Sequence, residues 1–336
     1  MNLRRTALSG ALFCGLAMLS VTAFALQVPG PLVGTEWLSK NLDQAVVLDV
    51  RKDVKSFEKK SRKAAVNPCG VTAKKGPLKV AGHIPGAVLV PWKKLVTKRT
   101  IEGREIKVLV PDKRKFERLM RKSGVDQDSA LVITGKGEQV VHTALAARLY
   151  WTLKYFGFDN VALLNGGTAQ WMKEKRKLEL GKSPRVEKGD FKATTERKEL
   201  LASTSDVVKL TEDKAKGQLL DTRSTAEYLG LTAFPKFVAP GVKGHVPGAK
   251  SFPVNLFANS RGTATLYSKA QVRKVADLLG VDTEQPTLVM CNSGVMASLG
   301  WFTFRELLSN PDVWLYDGSM HEWSHLGKPV VSMRFE

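Results

Sequence analysis

The stretch Leu288-Val-Met-Cys-Asn-Ser-Gly-Val-Met-Ala297 decides the fold. Its apolar run Leu288–Met290 predicts a buried strand, Cys291 stands at the end of that strand, and Val295–Leu308 predicts the helix that follows. In such a unit the loop amides and the positive end of the helix dipole converge on the thiol, lower its pKa and favour the thiolate. We therefore predict a nucleophilic Cys291 in an anion-binding loop made of Asn292, Ser293, Gly294, Val295 and Met296.

Three motifs around this stretch also occur, in the same order, in the first half of the chain. The matched pairs are Asp49-Val-Arg51 with Asp221-Thr-Arg223, Gly82-His-Ile-Pro-Gly-Ala87 with Gly244-His-Val-Pro-Gly-Ala249, and Leu163-Leu-Asn-Gly-Gly167 with Leu315-Tyr-Asp-Gly-Ser319. A repeat that keeps its order indicates two copies of one structural unit. We predict domains at residues 27–178 and 196–336, joined by a linker at 179–195 that is exposed over Lys182–Lys192.

The two copies differ at the cysteine. The first copy has Ile133-Thr-Gly135 where the second has Val289-Met-Cys291, so the first copy lacks a nucleophile at that place. We therefore predict that the first domain is non-catalytic and supports a catalytic second domain. The first copy also carries a lysine-rich insertion, residues 51–80, which contains Cys69. Loops of this length are usually functional or disordered.

Short apolar runs alternate with helical patterns in both copies, which predicts an α/β fold. Each domain is expected to form a mainly parallel sheet with helices on both faces, and chemistry at the carboxyl ends of the strands. In the second copy we predict strands near 218–222, 249–252, 286–290 and 312–316, and helices near 203–210, 268–279, 295–308 and 320–326.

The N-terminus has the pattern of a secretory signal peptide. Arg4 and Arg5 precede the apolar run Ala7–Val21, and Ala23-Phe-Ala25 is a small-x-small cleavage pattern. We expect residues 1–25 to be removed and the protein to be exported to the periplasm, without stable membrane insertion after cleavage. The alternative is a retained, membrane-anchoring start.

Composition limits the partners. At 336 residues and 43% apolar content the chain can bury the cores of two domains. Its formal charge of +20 is typical of nucleic-acid binding, but the bases are scattered and lack a zinc-finger or helix-turn-helix framework. We therefore predict no nucleic-acid partner, and a basic surface that attracts small anions. No Cys/His cluster has metal-ligand spacing, so we expect no metal site.

Taken together, these motifs resemble the tandem-domain rhodanese and mercaptopyruvate sulfurtransferase family, over nearly the whole mature chain. The resemblance implies two tandem rhodanese-like domains and no cofactor. It also implies that Cys291 takes a sulfane sulfur from a small anionic donor such as thiosulfate, holds it as a persulfide, and gives it to cyanide or a thiol. A protein is also a possible sulfur acceptor.

The loop leaves the donor open. It matches mercaptopyruvate members at Ser293, Gly294, Val295 and Ala297, whereas thiosulfate members tend to carry a cation where this chain has Asn292 or Ser293. The arginines that mercaptopyruvate members place between the Asp-x-Arg and Gly-His motifs are absent. The donor is therefore either of the thiosulfate type or 3-mercaptopyruvate.

Two functions of other classes also stay open. They are a non-catalytic module that binds oxyanions or proteins, and a redox role pairing Cys69 with Cys291. A phosphatase is disfavoured because the arginine that closes its loop is replaced by Ala297.

Three further residues are candidates for substrate binding: Arg223, His83 and Lys236. Arg223 would attract an anionic donor, or else form a structural ion pair with Asp221. His83 would lie near the cysteine at the domain interface, as the resemblance implies, or else hold the repeated turn through a backbone hydrogen bond. Lys236 is the only base between Arg223 and Lys243. Ser293 would hydrogen-bond to the persulfide or cap the helix that follows.

Overall fold

The computed structural model describes residues 25–59, 78–259 and 261–333. Most of the predicted signal peptide, and Cys69 with the central part of the predicted insertion, lie outside these residues.

The first domain contains seven strands and five α-helices within the described ranges. In chain order they are β1 (Leu32–Val33), α1 (Thr35–Lys40), β2 (Ala45–Arg51), α2 (Val54–Phe57), β3 (Val88–Pro91), β4 (Thr97–Ile101), β5 (Arg104–Leu109), α3 (Lys113–Lys122), β6 (Ala130–Thr134), α4 (Val140–Tyr155), β7 (Val161–Leu164) and α5 (Gly167–Lys173).

The second domain repeats this order without a hairpin of the β4–β5 kind among its described residues. Its elements are β8 (Leu201–Ala202), α6 (Thr204–Thr211), β9 (Gln218–Asp221), α7 (Thr225–Tyr228), β10 (Lys250–Ser251), α8 (Lys269–Leu278), β11 (Thr287–Met290), α9 (Val295–Trp301), β12 (Val313–Tyr316) and α10 (Ser319–His325).

Each domain is built on a five-stranded sheet with one and the same topology. The strand orders are β1-β7-β6-β2-β3 and β8-β12-β11-β9-β10, and every pairing in the two sheets is parallel. The central strands β6 and β11 are fully buried, as expected for a sheet with helices on both faces. The predicted α/β fold of two tandem domains is confirmed. Both cysteine-equivalent positions lie where a central strand ends.

The two domains share one hydrophobic core across their interface. Helix α4 of the first domain packs on α9 of the second, and the rings of Tyr150 and Phe302 meet edge to face with centroids 4.9 Å apart. The Tyr150 hydroxyl donates a hydrogen bond to Glu306 at 3.0 Å. The buried contact between helices that each follow a cysteine-equivalent loop fixes the two loops relative to one another.

The predicted elements of the second domain are all present, with three differences. The sequence does not predict β8, because its two residues are too few to show a pattern. The helix predicted over Val295–Leu308 is α-helical only to Trp301 and continues as a π-helical segment, Phe302–Leu307. Helix α7 was not predicted, because its single turn depends on a local signal: Ser224 caps it and Glu227 reaches back to the Ser224 amide.

The antiparallel hairpin β4–β5 extends from the first domain onto α10 of the second. Its pairing shifts between Thr97 and Lys98, which leaves Val108 as an extra residue on β5. Val108 has φ of 69°, a left-handed conformation that a β-branched residue rarely adopts. Bulges of this kind re-aim a side chain next to functional sites.

Two predicted irregular segments are more structured than expected. At the start of the 51–80 insertion, β2 runs to Arg51 and α2 follows. In the linker, Lys182 and the run from Pro184 to Lys188 are exposed, but Phe191 is fully buried against Phe116, with ring centroids 5.8 Å apart. The linker is therefore anchored to the first domain at its far end.

No helix within the described ranges is long and apolar enough to span a bilayer.

Candidate active site

Cys291 lies directly after β11 and forms the floor of a cavity of about 300 Å³ between the two domains. The residue is 1% exposed. The loop turns back over the sulfur, so that the Ser293 amide donates a hydrogen bond to Sγ at 3.4 Å. The sequence prediction of a thiol held between a strand end and a helix start agrees with this geometry.

The electrostatics of the thiol differ from the prediction. Burial raises the pKa of Cys291 above its ordinary value, and the Asp221 carboxylate acts in the same direction. The amides of Ser293, Met296 and Ala297 lower the pKa of the same thiol. Because burial is the largest effect, the expectation of a lowered pKa is wrong in its net direction.

The shape of the loop depends on Gly294. This residue has φ of +75° and caps α9 at its N-terminus, and no side chain caps the helix. A Cβ at this position would lie 2.5 Å from Asp317 Oδ1, so only glycine fits. The N-cap position is therefore not occupied by Ser293, whose buried backbone turns toward the sulfur instead.

Two side chains outside the loop, those of Glu227 and Ser319, form hydrogen bonds to it. Asn292 donates a hydrogen bond from Nδ2 to Glu227 on α7 at 2.7 Å. The Ser319 hydroxyl accepts hydrogen bonds from the amides of Cys291 and Gly294, each at 3.1 Å. The loop is thus held at both ends of its four-residue turn.

Both domains contribute walls to the cavity. The second domain supplies Lys236 with Phe234 and Phe237, as well as the loop residues Asn292, Ser293, Val295 and Met296; the first domain supplies Lys52, Trp92, Val108, Val141 and Leu145. The cavity is mostly apolar, and its two cations are exposed at the mouth. Neither lysine forms an ion pair with any residue that the structure describes.

Arg223 does not line this cavity, and it forms the structural ion pair with Asp221 that the sequence left open as the alternative to donor binding. Its guanidinium donates to Asp221 Oδ2 at 2.6 Å and to the Gly244 carbonyl at 2.8 Å, and the residue is buried. Arg51 bonds to Asp49 and to the Gly82 carbonyl in the same way in the first domain. The repeated Asp-x-Arg motif therefore ties a strand end to the Gly-His turn.

His83 is also away from the cavity. Its ring stacks on Phe57 with centroids 3.9 Å apart, and Nδ1 lies 3.3 Å from the Phe57 carbonyl. His245 repeats this arrangement with Tyr228. Burial lowers the pKa of His83. The repeated histidine thus holds a turn in each copy, which is the alternative that the sequence left open.

A buried ion pair connects the site to the first domain. Arg148 on α4 lies 2.5 Å from Asp317, and both side chains are nearly inaccessible. The second carboxylate oxygen of Asp317 accepts a hydrogen bond from the Val110 amide. On α10, His321 Nδ1 lies 3.2 Å from the Lys107 amide. These contacts hold the β4–β5 hairpin against the second domain, so that Val108 on β5 lines the cavity beside the cysteine loop.

Lys52, Val108 and Ser319 were missed by the sequence analysis. Lys52 and Val108 reach the site only through the domain interface, which no local pattern predicts. Ser319 had a signal: the repeat places Gly167 at the same position, and a serine in place of a glycine at a conformationally restricted turn points to a role for its hydroxyl.

Among the residues with described coordinates, no three His, Cys, Asp or Glu side chains are grouped to hold a metal ion.

Two copies of one parallel α/β unit, with a buried thiol at a strand end of the second copy only, define a tandem-domain protein with a cysteine site. The family model for the Rhodanese-like domain matches residues 34–174 and 203–326, so the chain belongs to the rhodanese-like family.

Relatives that cover 74% to 90% of the chain agree with this assignment. The chain is 29% identical to the sulfur carrier protein TtuD of Thermus thermophilus, over 90% of this chain and 97% of that protein. It is 31% identical to a putative thiosulfate sulfurtransferase of Haloferax volcanii, over 74% and 82%. A crystal structure of a 3-mercaptopyruvate sulfotransferase from Escherichia coli is similar with a TM-score of 0.65 and 26% identity, over 86% of this chain and 98% of that one.

Proposed function

We propose that this protein is a sulfurtransferase that moves a sulfane sulfur from a small anionic donor of the thiosulfate type to cyanide or a thiol, through a persulfide on Cys291. The observation that carries the proposal is the buried Cys291 thiol, which lies on the floor of a cavity with the Ser293 amide on its sulfur. The relatives named as sulfurtransferases support the same class of reaction.

The transfer takes place in two displacement steps. The Cys291 thiol first gives its proton to solvent, and the thiolate attacks the outer sulfur of thiosulfate. The sulfur–sulfur bond of the donor breaks, and sulfite leaves with the electron pair. An acceptor thiolate or cyanide then attacks the terminal sulfur of the persulfide, and the Cys291 thiolate leaves. The amides that face the sulfur stabilise the negative charge at both stages.

The charges of the cavity favour a thiosulfate-type donor. Lys52 and Lys236 are exposed, carry point charges and attract a small oxyanion without a fixed geometry. A 2-oxo acid such as mercaptopyruvate is held best by an arginine that grips its carboxylate with two parallel hydrogen bonds. Among the residues that the structure describes, no arginine lines this cavity.

One observation favours a second candidate, a non-catalytic module that binds oxyanions or a protein. The raised pKa of Cys291 leaves the resting thiol protonated at neutral pH, which slows its attack on a donor. The loop amides oppose this effect without overcoming it. A measured rate of sulfur transfer therefore decides between the two candidates.

Mass spectrometry of the protein provides that test. Purified protein is incubated with thiosulfate or with mercaptopyruvate, and we expect one added sulfur on the peptide that contains Cys291, removed by cyanide with release of thiocyanate. The Cys291→Ser variant is the control. An unmodified wild-type peptide after both donors, or an equal adduct in the variant, contradicts the proposal.

We also propose that the protein acts in the periplasm after cleavage at about residue 25, and that its acceptor can be a protein thiol. The relative named as a sulfur carrier protein supports a macromolecular partner. N-terminal sequencing of protein from a periplasmic extract tests the location. A chain that keeps Arg4 and Arg5, or stays in the cytoplasmic fraction, contradicts it.

A further inference from the structure

Ser319, the first residue of α10, has an unusual backbone for its residue type. Its φ is 52°, in the left-handed region, and it is fully buried. Serine rarely adopts this conformation, because its Cβ crowds the backbone there. A residue kept in such a conformation indicates that its side chain does something that glycine cannot do.

The Ser319 hydroxyl makes three hydrogen bonds. It donates to the Tyr316 carbonyl at 2.7 Å, which fixes the direction of its lone pairs. Those lone pairs accept from the amides of Cys291 and Gly294, each at 3.1 Å. One oxygen atom thus joins the first and last amides of the turn on which the thiol stands.

The first domain shows what the same turn is like without this hydroxyl. Gly167 stands at the equivalent position, with φ of +58°. A Cβ there would lie 2.6 Å from the Gly135 carbonyl oxygen, so the loop that lacks the cysteine packs directly against the glycine. In the second domain a hydroxymethyl group occupies the corresponding place.

The neighbouring backbone contacts are the same in both copies. The Met320 amide donates to the Cys291 carbonyl at 3.0 Å, as the Thr168 amide does to Gly135 at 2.9 Å. The next amide in each copy donates to the following loop carbonyl, at 3.0 Å in the second domain and 2.8 Å in the first. The Ser319 hydroxyl is therefore an addition to a shared frame.

We propose that Ser319 is a positioning residue for sulfur transfer. Its hydroxyl closes the turn from Cys291 to Gly294 so that the Ser293 amide points at Sγ, and the left-handed backbone at Ser319 is the strain that accompanies this function. The inference rests on the proposed sulfurtransferase activity, which uses the same loop.

The test compares Ser319→Ala and Ser319→Gly with the wild-type protein. Both variants remove the hydroxyl, but glycine also relieves the backbone strain. We expect the rate of sulfur loading from thiosulfate to fall about ten-fold in both, a change that corresponds to about 1.4 kcal/mol and to the net contribution of one hydrogen bond. The KM for the donor should change little, and Ser319→Gly should melt at a temperature equal to or above that of Ser319→Ala.

Ser324→Ala is the matched control. Ser324 is a buried serine on the same helix, and its hydroxyl donates to the Met320 carbonyl at 2.6 Å and accepts from the Ala239 amide at 3.0 Å. We expect this variant to keep the wild-type loading rate. The inference is overturned if Ser319→Ala loads sulfur at the wild-type rate. It is also overturned if the loading rate of all three variants falls only in proportion to their folded fraction.

A second readout separates this inference from the proposed function. Alkylation of Cys291 by iodoacetamide across pH needs no sulfur donor. Loss of the Ser319 hydroxyl releases the amides from the sulfur, so the alkylation profile should move to higher pH in Ser319→Ala and Ser319→Gly, but not in Ser324→Ala. If the wild type takes up no sulfur, this profile still tests Ser319, and unchanged profiles refute its positioning role.

Discussion

The cysteine loop of the second domain and its counterpart in the first domain have the same backbone hydrogen bonds to the helix that follows the next strand. They differ in the charged residues beside them and in their contacts with the other domain. In the first domain the Gly137 carbonyl accepts a hydrogen bond from the Ala264 amide of the other domain at 2.8 Å. The cavity of about 350 Å³ beside it is lined by Lys136, which lies 3.1 Å from Glu138, and by Lys52, which also lines the cavity of Cys291. A cavity at a strand end is thus present twice, and Lys52 lines both, whereas Cys291 and Lys236 line only the cavity at the cysteine loop of the second domain.

A cavity at a strand end is therefore not sufficient to form the candidate active site. The two domains cover each other in equivalent ways: the Leu266 amide donates to Asn165 in one direction, and the Val110 amide donates to Asp317 in the other. The difference comes from three residues of the second domain: Cys291, Ser319, whose hydroxyl supports the cysteine loop, and Lys236.

Removing the thiol is the strongest way to test the comparison. Cys291→Ser should lower sulfur transfer at least about 10³-fold, as expected when a nucleophile is lost. Gly135→Cys, added to this variant, should not restore activity, because a Cβ at Gly135 would lie 2.6 Å from the His142 carbonyl oxygen. Thiocyanate formation from thiosulfate and cyanide measures both effects. Recovery of activity in the double variant would show that the two loops are interchangeable.

Breaking the ion pair between the domains should have the next largest effect. Arg148→Met leaves Asp317 as a buried charge without its partner, which should lower the free energy of unfolding by about 3 kcal/mol. Urea denaturation measures this change. Lys40→Met removes an exposed pair with Glu36 and should change stability little. Equal losses in the two variants would contradict the role assigned to Asp317.

The pH dependence of Cys291 tests the sign of its pKa shift. Burial favours the neutral thiol, so the folded-state pKa is raised and alkylation at neutral pH should be slower than for an exposed cysteine. The rate should rise as the pH passes the raised pKa, and denaturant should abolish the difference. Iodoacetamide kinetics followed by peptide mapping measure the profile. Faster alkylation than that of a free thiol at pH 7 would mean that the loop amides outweigh burial.

Neutralising the lysines should give a moderate effect on donor binding. Lys52→Gln and Lys236→Gln should each raise the KM for thiosulfate about two- to five-fold, with the effect decreasing at high salt. Lys136→Gln, in the counterpart loop, is the control and should leave KM unchanged. A KM that depends on Lys136 as strongly as on Lys236 would place the donor in the cavity of the first domain.

The smallest effect is expected at the bulge. Val108→Gly relieves the left-handed backbone and enlarges the cavity, whereas Val108→Ile reduces its volume. We expect the preference for bulky over small donors, measured as a ratio of kcat/KM values, to change about two- to three-fold in opposite directions. Changes in the same direction would indicate that the side chain does not contact the donor.

The sequence predicts most of the strands, helices and turns around the site, because each of them depends on residues that are close in sequence. The apolar run that ends at Cys291, and the motifs repeated at Asp49 and Asp221, follow from short patterns that each copy carries by itself. The site is only partly predictable because its walls come from both copies. Lys52 lies far from Cys291 in sequence, and the position of Val108 depends on a bulge whose partners are set by the domain interface.

The errors have the same origin. Loop amides are visible in the sequence, so a lowered thiol pKa was expected, but the burial that reverses it results from packing between the domains. The charge of Arg223 and, for His83, the family resemblance suggest substrate binding, but the structure shows the structural alternative at both residues, where they hold turns. Charge in a motif is therefore weaker evidence for a binding role than access to the cavity.

The ion pair of Asp317 has a consequence for how a duplicated gene can change. Asp317 precedes the turn that supports Cys291, yet its partners, Arg148 and the Val110 amide, belong to the copy without a nucleophile. Substitutions in the loop of the first copy leave these contacts in place. Deletion of the first copy would remove the contacts of Asp317 with Arg148 and Val110, which hold the turn beside Cys291. The two copies therefore depend on each other physically, although only the second has a cysteine at the end of its central strand.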